Sequence, residues 1–199
     1  MNAVPILKRE KQWHRPPALL ANFHCFYEDE WSVFTSGSSP MNQFTHFDEN
    51  GASRMVDVGD KAVTRRLARA SGLVRMQAET LRQIRDGETK KGNVLEVARL
   101  AGIMGAKKTS DLIPLCHPIS LDSVTVDFSF PDESTIAIEA TTCVDAKTGV
   151  EMEALAAVTA AALTIYDMCK AVDREMVIEA ICLQEKSGGR SGHFVRENN

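Results

Sequence analysis

Polar and apolar residues alternate through the segment 123–144, on both sides of a turn at residues 131–134. The inward positions are Val124, Val126, Phe128, Phe130, Ile136, Ile138, Ala140, Thr142 and Val144. A period of two residues is typical of strands that have one face on a core and one face in water. The segment therefore predicts an antiparallel β-hairpin.

Helical spacing of apolar residues replaces this alternation before and after the hairpin. A short helix is predicted over 77–85, ending before Gly87, and a second over 93–106 with Asn93 at its start. A long apolar helix is predicted over 150–172. These helices supply the layer that packs on the hairpin.

Three further segments have strand character. A short strand is predicted over 54–58, a longer strand with a bulge near Ser71 and Gly72 over 62–76, and a last strand over 176–184. The resulting order is β, β, α, α, β, β, α, β. We therefore predict an α+β fold, a ferredoxin-like two-layer sandwich in which helices cover one face of an antiparallel sheet.

The aromatic residues are distributed unevenly between the ends of the chain. Residues 1–40 hold six of the twelve aromatic residues, show no clear period and lack the basic start and apolar block of a signal peptide. We expect them to form an irregular or non-native N-terminal extension. The domain is predicted to span 41–199.

Composition and charge exclude several classes of protein. The 199 residues are 44% hydrophobic and 25% charged, which is typical of a globular domain rather than a disordered chain. A net charge of −4 lacks the basic footprint of a nucleic-acid-binding protein. No uncharged apolar run approaches the roughly 20 residues of a membrane helix. Five cysteines without C-x-x-C spacing favour a reducing cytoplasm and predict no metal site.

The long helix over 150–172 is poor in charge even opposite its apolar face. Such a helix is usually covered on both sides, so a second subunit is expected on its outer face. Thr148 and Glu151 have the spacing of a capping box, which predicts a structural role for Glu151.

Asp167 and Lys170 lie three residues apart on this helix. Their spacing allows either an ordinary helix ion pair or a catalytic acid–base pair, since a covered carboxylate at a helix C-terminus is a good proton donor or acceptor. Glu153 lies on nearly the same side but about 21 Å away along the helix axis. The two acids can therefore serve one extended ligand, or separate pockets shared across an interface.

Other candidate groups stand in loops. Cys116 and His117 lie in a turn before Pro118, and Lys91 precedes a helix start that could hold phosphate. Lys186 and Arg190 flank a glycine-rich segment. Each is also typical of an ordinary structural or solvated residue.

Five longer strings go beyond these local signals. They are Met55-Val-Asp-Val58, Asp111-Leu-Ile-Pro-Leu-Cys-His-Pro118, Lys147-Thr-Gly-Val-Glu-Met-Glu-Ala-Leu155, Leu163-Thr-Ile-Tyr-Asp-Met-Cys-Lys170 and Lys186-Ser-Gly-Gly189. Together they resemble the MoaC family of molybdenum cofactor biosynthesis, from about Thr45 to Phe194.

The resemblance implies a cytoplasmic lyase that converts (8S)-3′,8-cyclo-7,8-dihydroguanosine 5′-triphosphate to cyclic pyranopterin monophosphate and pyrophosphate. It implies a ferredoxin-like domain assembled as a homohexamer, a trimer of dimers with interfacial sites. No resident cofactor is expected, although Mg²⁺ on the triphosphate is compatible with the chemistry. Nucleic acid and membranes are not expected partners.

The resemblance also assigns residue roles. Asp167 corresponds to the family's acid–base residue, and Lys91 and Lys170 to its essential lysines. Substrate-binding positions are Leu115, Cys116, His117, Met152 and Glu153, together with the phosphate-contacting cations Arg66 and Lys107. Lys147 is left out of the site, because Asp145 and Ala146 before it depart from the family's commoner Thr-Gly.

Two alternatives remain open from sequence. A regulatory nucleotide-binding module would bind ligand without forming product. A purely structural oligomer would have no affinity for guanine nucleotides.

Overall fold

The computed structural model describes residues 51–87 and 92–197, and the domain boundary predicted near Met41 lies outside them. The elements within those residues are β1 (Thr64–Arg75), α1 (Ala78–Arg85), α2 (Val94–Lys107), α3 (Thr109–Leu112), β2 (Ser123–Ser129), β3 (Thr135–Ala146), α4 (Glu151–Cys169), β4 (Val177–Ser187) and β5 (Phe194–Val195). This confirms the predicted α+β class.

The strands form one antiparallel sheet in the order β2-β3-β1-β4-β5. Strands β2 and β3 are the predicted hairpin. Its turn is closed by the Asp132 carboxylate, which accepts a hydrogen bond of 2.7 Å from the Ser134 N–H. Central strand β1 alternates buried and half-buried residues from Arg66 to Val74, so one of its faces lies in the core.

Two strand predictions are wrong in detail. Residues 54–58 form no strand. The predicted bulge is real but lies on β4: Gln184 falls between the partners of Arg69 and Ala70, and Gly72 lies opposite two β4 residues. One of these, Ala180, has a positive φ of 54°, a backbone conformation that marks the extra residue of the bulge. The single-turn helix α3 and strand β5 were not predicted.

Helix α4 forms the centre of the core. Its buried residues include Ala154, Val158, Ala161 and Ile165, which pack on β1, β3 and β4. A Cβ at Gly72 would lie 2.7 Å from Val158 Cγ1, so glycine is required for this close approach of strand and helix. α4 is long and apolar enough to cross a membrane by length and composition, but its burial against the sheet accounts for that composition.

Helix α2 covers part of the outer side of α4. Glycines bring the two backbones together: a Cβ at Gly105 would lie 2.7 Å from the Ala160 Cβ, and one at Gly102 would lie 3.0 Å from the Ala157 carbonyl oxygen. Because α2 covers part of the outer face of α4, the low charge of that face does not by itself require a second subunit. Met152 and Leu163 remain 36% and 56% exposed.

The helix starts depend on different groups. Asn93 caps α2 as predicted, because its Oδ1 accepts a hydrogen bond of 3.2 Å from the Glu96 N–H. The predicted capping box at α4 is wrong, since Val150 occupies the N-cap position and no side chain caps the helix. The Glu151 side chain makes no capping hydrogen bond and folds back beside Gly149.

Candidate functional site

The start of α4 and the loop after α3 enclose a pocket of about 290 Å³, which we call the α4 N-terminal pocket. Its lining includes all five predicted substrate-binding residues of the two motifs, namely Leu115, Cys116, His117, Met152 and Glu153. Residues of the two motifs are 35 to 38 positions apart in the chain. The fold thus brings together two candidate binding segments that are far apart in the sequence.

Glu153 is the most perturbed acid of this pocket. It is only 4% exposed, and burial raises its pKa from 4.5 to about 7, with a smaller contribution from the neighbouring charge of Glu151. A carboxyl group with a pKa near neutrality can be present in both protonation states at physiological pH. It can therefore donate a hydrogen bond to a bound heterocycle or accept one from it.

His117 and Cys116 have different environments on the same loop. His117 Nε2 lies 2.9 Å from the Val56 carbonyl oxygen. Because a carbonyl only accepts, this nitrogen carries a proton, and Nδ1 is the acceptor of the neutral ring. Burial, and then the charge of Glu153, raises the pKa of the Cys116 thiol. A thiol with a raised pKa is a poor nucleophile, so its role is to shape the pocket.

A larger cavity of about 580 Å³ adjoins this pocket and shares Lys61, Thr148, Gly149 and Glu151 with it. We call it the cationic pocket. Five basic and two acidic side chains line it: Lys61, Arg66, Lys147, Lys186, Arg190, Asp60 and Glu151. An excess of cations in a cavity of this size suits a polyanion such as a phosphate chain.

Arg66 forms a fixed wall of the cationic pocket. Its guanidinium is held by the Ala146 and Lys147 carbonyls, which accept from Nε and Nη2 at 3.3 Å each. Gly189 lies against it at a φ of +74°, and a Cβ there would overlap the Arg66 guanidinium. Gly189 is therefore required by its fit to Arg66.

Asp167 and Lys170 form the predicted ion pair at the other end of α4. The Lys170 Nζ donates to Asp167 Oδ1 at 2.6 Å, and this hydrogen bond raises the pKa of Lys170. Both side chains are more than half exposed in the single chain. The covered environment expected around Asp167 is thus not supplied by its own subunit.

The packing of α2 against α4 sorts the candidate residues into two groups. Gly102 meets Ala157 and Ala161, whereas Gly105 meets Ala156 and Ala160, so the helices run antiparallel. At 1.5 Å per residue, the start of α2 lies about 18 Å from Gly105 in the direction of Lys170. The exposed Lys107, the last residue of α2, lies toward the opposite end, where α4 begins.

The candidate residues of one chain therefore fall into two groups, which we call half-sites. The N-terminal end of α4 has the two pockets and Lys107, and the C-terminal end has Asp167, Lys170 and the capped start of α2. Lys91 lies outside the described residues. The two ends are about 20 Å apart and do not meet within one chain.

The sequence analysis missed one cation of the cationic pocket, Lys61, and left a second, Lys147, out of the site. Lys61 lines both pockets, and Lys147 lines the larger one while its Nζ donates to the Gly59 carbonyl at 2.6 Å. A signal for Lys147 was present, because it precedes a glycine and a helix start just as Lys90 does. Lys186 and Arg190 were noticed as a weak phosphate signal, and both line this pocket.

Within residues 51–87 and 92–197, no three His, Cys, Asp or Glu side chains lie together in a way that could hold a metal ion. The two pockets are lined by basic side chains, the His117 imidazole, the Cys116 thiol and the carboxyl groups of Asp60, Glu151 and Glu153.

Comparison with known proteins gives consistent results. The family model described as "MoaC family" matches residues 55–189. A cyclic pyranopterin monophosphate synthase of Heliobacterium modesticaldum is 60% identical over 158 residues, covering 79% of this chain and 99% of that protein. Proteins of the same name from Desulfitobacterium hafniense and Magnetococcus marinus are 58% and 63% identical, covering 78% and 79% of this chain and 96% and 97% of theirs.

Proposed function

This chain belongs to the MoaC family, and we propose that it is the lyase that converts (8S)-3′,8-cyclo-7,8-dihydroguanosine 5′-triphosphate to cyclic pyranopterin monophosphate and pyrophosphate. The reaction belongs to molybdenum cofactor biosynthesis. The observation that carries the proposal is the cationic pocket, which shares four lining residues with the pocket around His117 and Glu153. Such a pair of pockets suits a heterocycle that bears a phosphate chain.

In this proposal the cationic pocket binds the triphosphate. Arg66 is already held in place by backbone carbonyls, so it loses little freedom when an anion arrives. Lys61, Lys147 and Lys186 add positive charge around it. Neutralisation of the phosphate oxygens lowers the barrier when a ribose hydroxyl attacks the α-phosphorus and pyrophosphate leaves.

The heterocycle would then lie in the α4 N-terminal pocket. His117 presents Nδ1 as an acceptor, and Glu153 is neutral or charged according to what it faces. Leu115, Cys116 and Met152 supply the less polar walls of the same pocket. Lys107 lies at this end of the molecule and can extend the phosphate-binding surface.

The proton transfers require the second half-site. Opening of the five-membered purine ring needs protons moved at nitrogen and carbon, which a carboxylate with a neighbouring ammonium can do. Asp167 is proposed as the acid–base residue, with Lys170 and Lys91 as its cationic partners. Because the half-sites are about 20 Å apart in one chain, a second subunit must supply this group.

From the family resemblance, we propose that the assembly is a homohexamer, a trimer of dimers with sites at the dimer interfaces. A twofold axis that sets two α4 helices antiparallel would place Asp167 of each chain near the pockets of its partner. The exposed apolar residues Met152 and Leu163, with Thr159 between them, would be buried by this contact. Burial would also supply the covered environment that suits a catalytic carboxylate.

The remaining expectations are narrower. The fold is proposed to be ferredoxin-like, because β3 separates β1 from β2 and makes them parallel across a split β-α-β unit. No resident cofactor is invoked; Mg²⁺ would arrive on the triphosphate. A cytoplasmic location fits Cys116, Cys143 and Cys182, which form no disulfide.

The direct test is turnover of the cyclised GTP by purified protein, with pyrophosphate release followed by mass spectrometry. Asp167→Asn and Lys170→Ala should lose most turnover while GTP binding, measured by calorimetry, persists. Wild-type turnover by both variants would remove the site assignment. Binding without any product would favour the regulatory module, and no binding would favour the structural oligomer.

A complementation experiment tests the shared site. Lys186→Ala damages the cationic pocket, and Asp167→Asn damages the other half-site. If each site draws one half from each of two chains, reassembled equal mixtures should regain about a quarter of wild-type activity. Mixtures as inactive as the separate variants would place both half-sites on one chain.

A further inference from the structure

Asp173 is the one buried aspartate among the described residues, and it is only 1% exposed. A buried carboxylate is stable only when hydrogen bonds replace its water. Its Oδ2 accepts from the Gln77 N–H at 2.8 Å and from the Thr80 hydroxyl at 3.2 Å, and its Oδ1 accepts from the Glu175 N–H at 3.1 Å. Two of the three donors belong to a segment almost a hundred residues earlier in the chain.

These contacts serve the start of α1. Gln77 is the N-cap residue of α1, and its side chain makes no capping hydrogen bond. The Asp173 carboxylate takes this place from a distant segment, next to the positive end of the helix dipole. The turn after α4 is thereby attached to α1.

The same turn carries the proposed catalytic end of α4. Lys170 is the C-cap residue of α4, three positions before Asp173. The Val172 and Asp173 N–H groups both donate to the Cys169 carbonyl, at 2.9 and 3.1 Å. A second attachment comes from the Tyr166 hydroxyl, which donates to the Arg174 carbonyl at 3.3 Å. Movement of Asp173 would therefore move the last turn of α4 and the Lys170 backbone.

We infer that Asp173 is a positioning residue that fixes the Asp167–Lys170 pair by attaching the end of α4 to the start of α1. The inference rests on the proposed function, since the pair must be held in place against a ligand from another subunit. A small displacement of an acid–base group costs catalysis more than it costs binding. The phosphate-binding groups of the cationic pocket lie at the other end of α4.

Two substitutions and one matched control test the inference. Asp173→Asn keeps the shape but removes the charge and one acceptor. Thr80→Val removes only the hydroxyl that donates to Asp173. Thr109→Val is the control, because it removes an equally buried hydroxyl that donates to the Ala106 carbonyl at the end of α2.

Kinetics are measured on the assembled enzyme well below its unfolding temperature. We expect kcat to fall at least about tenfold in Asp173→Asn and about threefold in Thr80→Val, with KM within about twofold of wild type. Thr109→Val should keep the wild-type kcat. A wild-type kcat in Asp173→Asn, or an equal loss in the two threonine variants, would overturn the inference.

Hydrogen exchange gives a readout that does not depend on turnover. Amides in residues 77–81 and 170–175 should exchange faster in Asp173→Asn and Thr80→Val than in wild type. In Thr109→Val their exchange rates should equal those of wild type. Unchanged exchange in the first two variants would refute the attachment. If wild type lacks turnover while exchange responds as expected, the proposed function fails and the structural attachment stands. Thr80→Val keeps the test open if Asp173→Asn does not fold.

Discussion

Replacement of Glu153 by glutamine should stabilise the folded protein at neutral and alkaline pH. Glu153 is 4% exposed, and burial raises its pKa to about 7. The difference from the ordinary value of 4.5 corresponds to about 3 kcal/mol, which is the cost of holding the ionised carboxylate in the folded chain. Glutamine has a similar size and carries no charge.

The pH dependence gives this prediction its sign. Below pH 4.5 the carboxyl is neutral in both states, so burial of its charge costs nothing. Between pH 4.5 and about 7 the unfolded chain ionises first, and wild type loses stability relative to Glu153→Gln. Above about pH 7 both states are ionised, and the advantage of the variant levels off near about 3 kcal/mol.

Urea unfolding of wild type and Glu153→Gln from pH 4 to pH 8.5 measures this difference. Protein concentration must be the same throughout, because the stability of an assembly depends on it. Glu133→Gln, at an exposed site, is the matched control and should show no such rise. A stability difference between wild type and Glu153→Gln that does not change with pH would refute the reasoning, whatever its size. The variant should also bind and turn over the substrate less well.

Three further substitutions follow from contacts in the pockets and the helix pair. Gly189→Ala should displace the Arg66 guanidinium and weaken pyrophosphate binding measured by calorimetry; unchanged affinity would contradict the packing argument. Lys147→Met should weaken the same binding. The affinity of this variant should also fall less steeply with rising salt concentration than that of wild type, because one cation is gone. Gly105→Ala should lower the free energy of unfolding by about 1–3 kcal/mol, since its methyl would collide with Ala160, and a variant as stable as wild type would contradict this.

The elements that could be predicted from sequence are those whose signal is local. The hairpin of β2 and β3 follows from alternation, and the start of α2 follows from Asn93, whose side chain bonds within its own turn. The segment 54–58 has the composition of a strand but does not pair with a neighbouring strand. Its Val56 carbonyl bonds to His117 instead, a contact between residues 61 positions apart that no local pattern reveals.

At Glu151 a local sequence pattern predicts a contact that the folded structure does not contain. The Thr148 and Glu151 spacing predicts a capping box, yet α4 begins without a side-chain cap. Glu151 instead faces the cationic pocket, 3.9 Å from the Lys186 ammonium. This contact joins residues 35 positions apart, so the local spacing of Thr148 and Glu151 could not predict it.

The candidate site was predictable as a set of residues but not as an arrangement. Motif resemblance nominated Cys116, His117, Met152 and Glu153, and the fold places them around one pocket. The burial that perturbs Glu153 depends on what packs against it, so only the structure gives its pKa direction. Lys61 escaped notice because a single lysine outside any motif is indistinguishable from a solvated one.

The seam of small residues between α2 and α4 links the fold to the proposed chemistry. Gly102 and Gly105 allow the helix backbones to approach closely, and their contacts fix how far α2 is shifted along α4. That shift sets Lys107 toward the two pockets and Asn93 toward Asp167. A larger residue in the seam would move Lys107 and the start of α2 relative to α4. The seam therefore sets how both ends of α2 lie along α4.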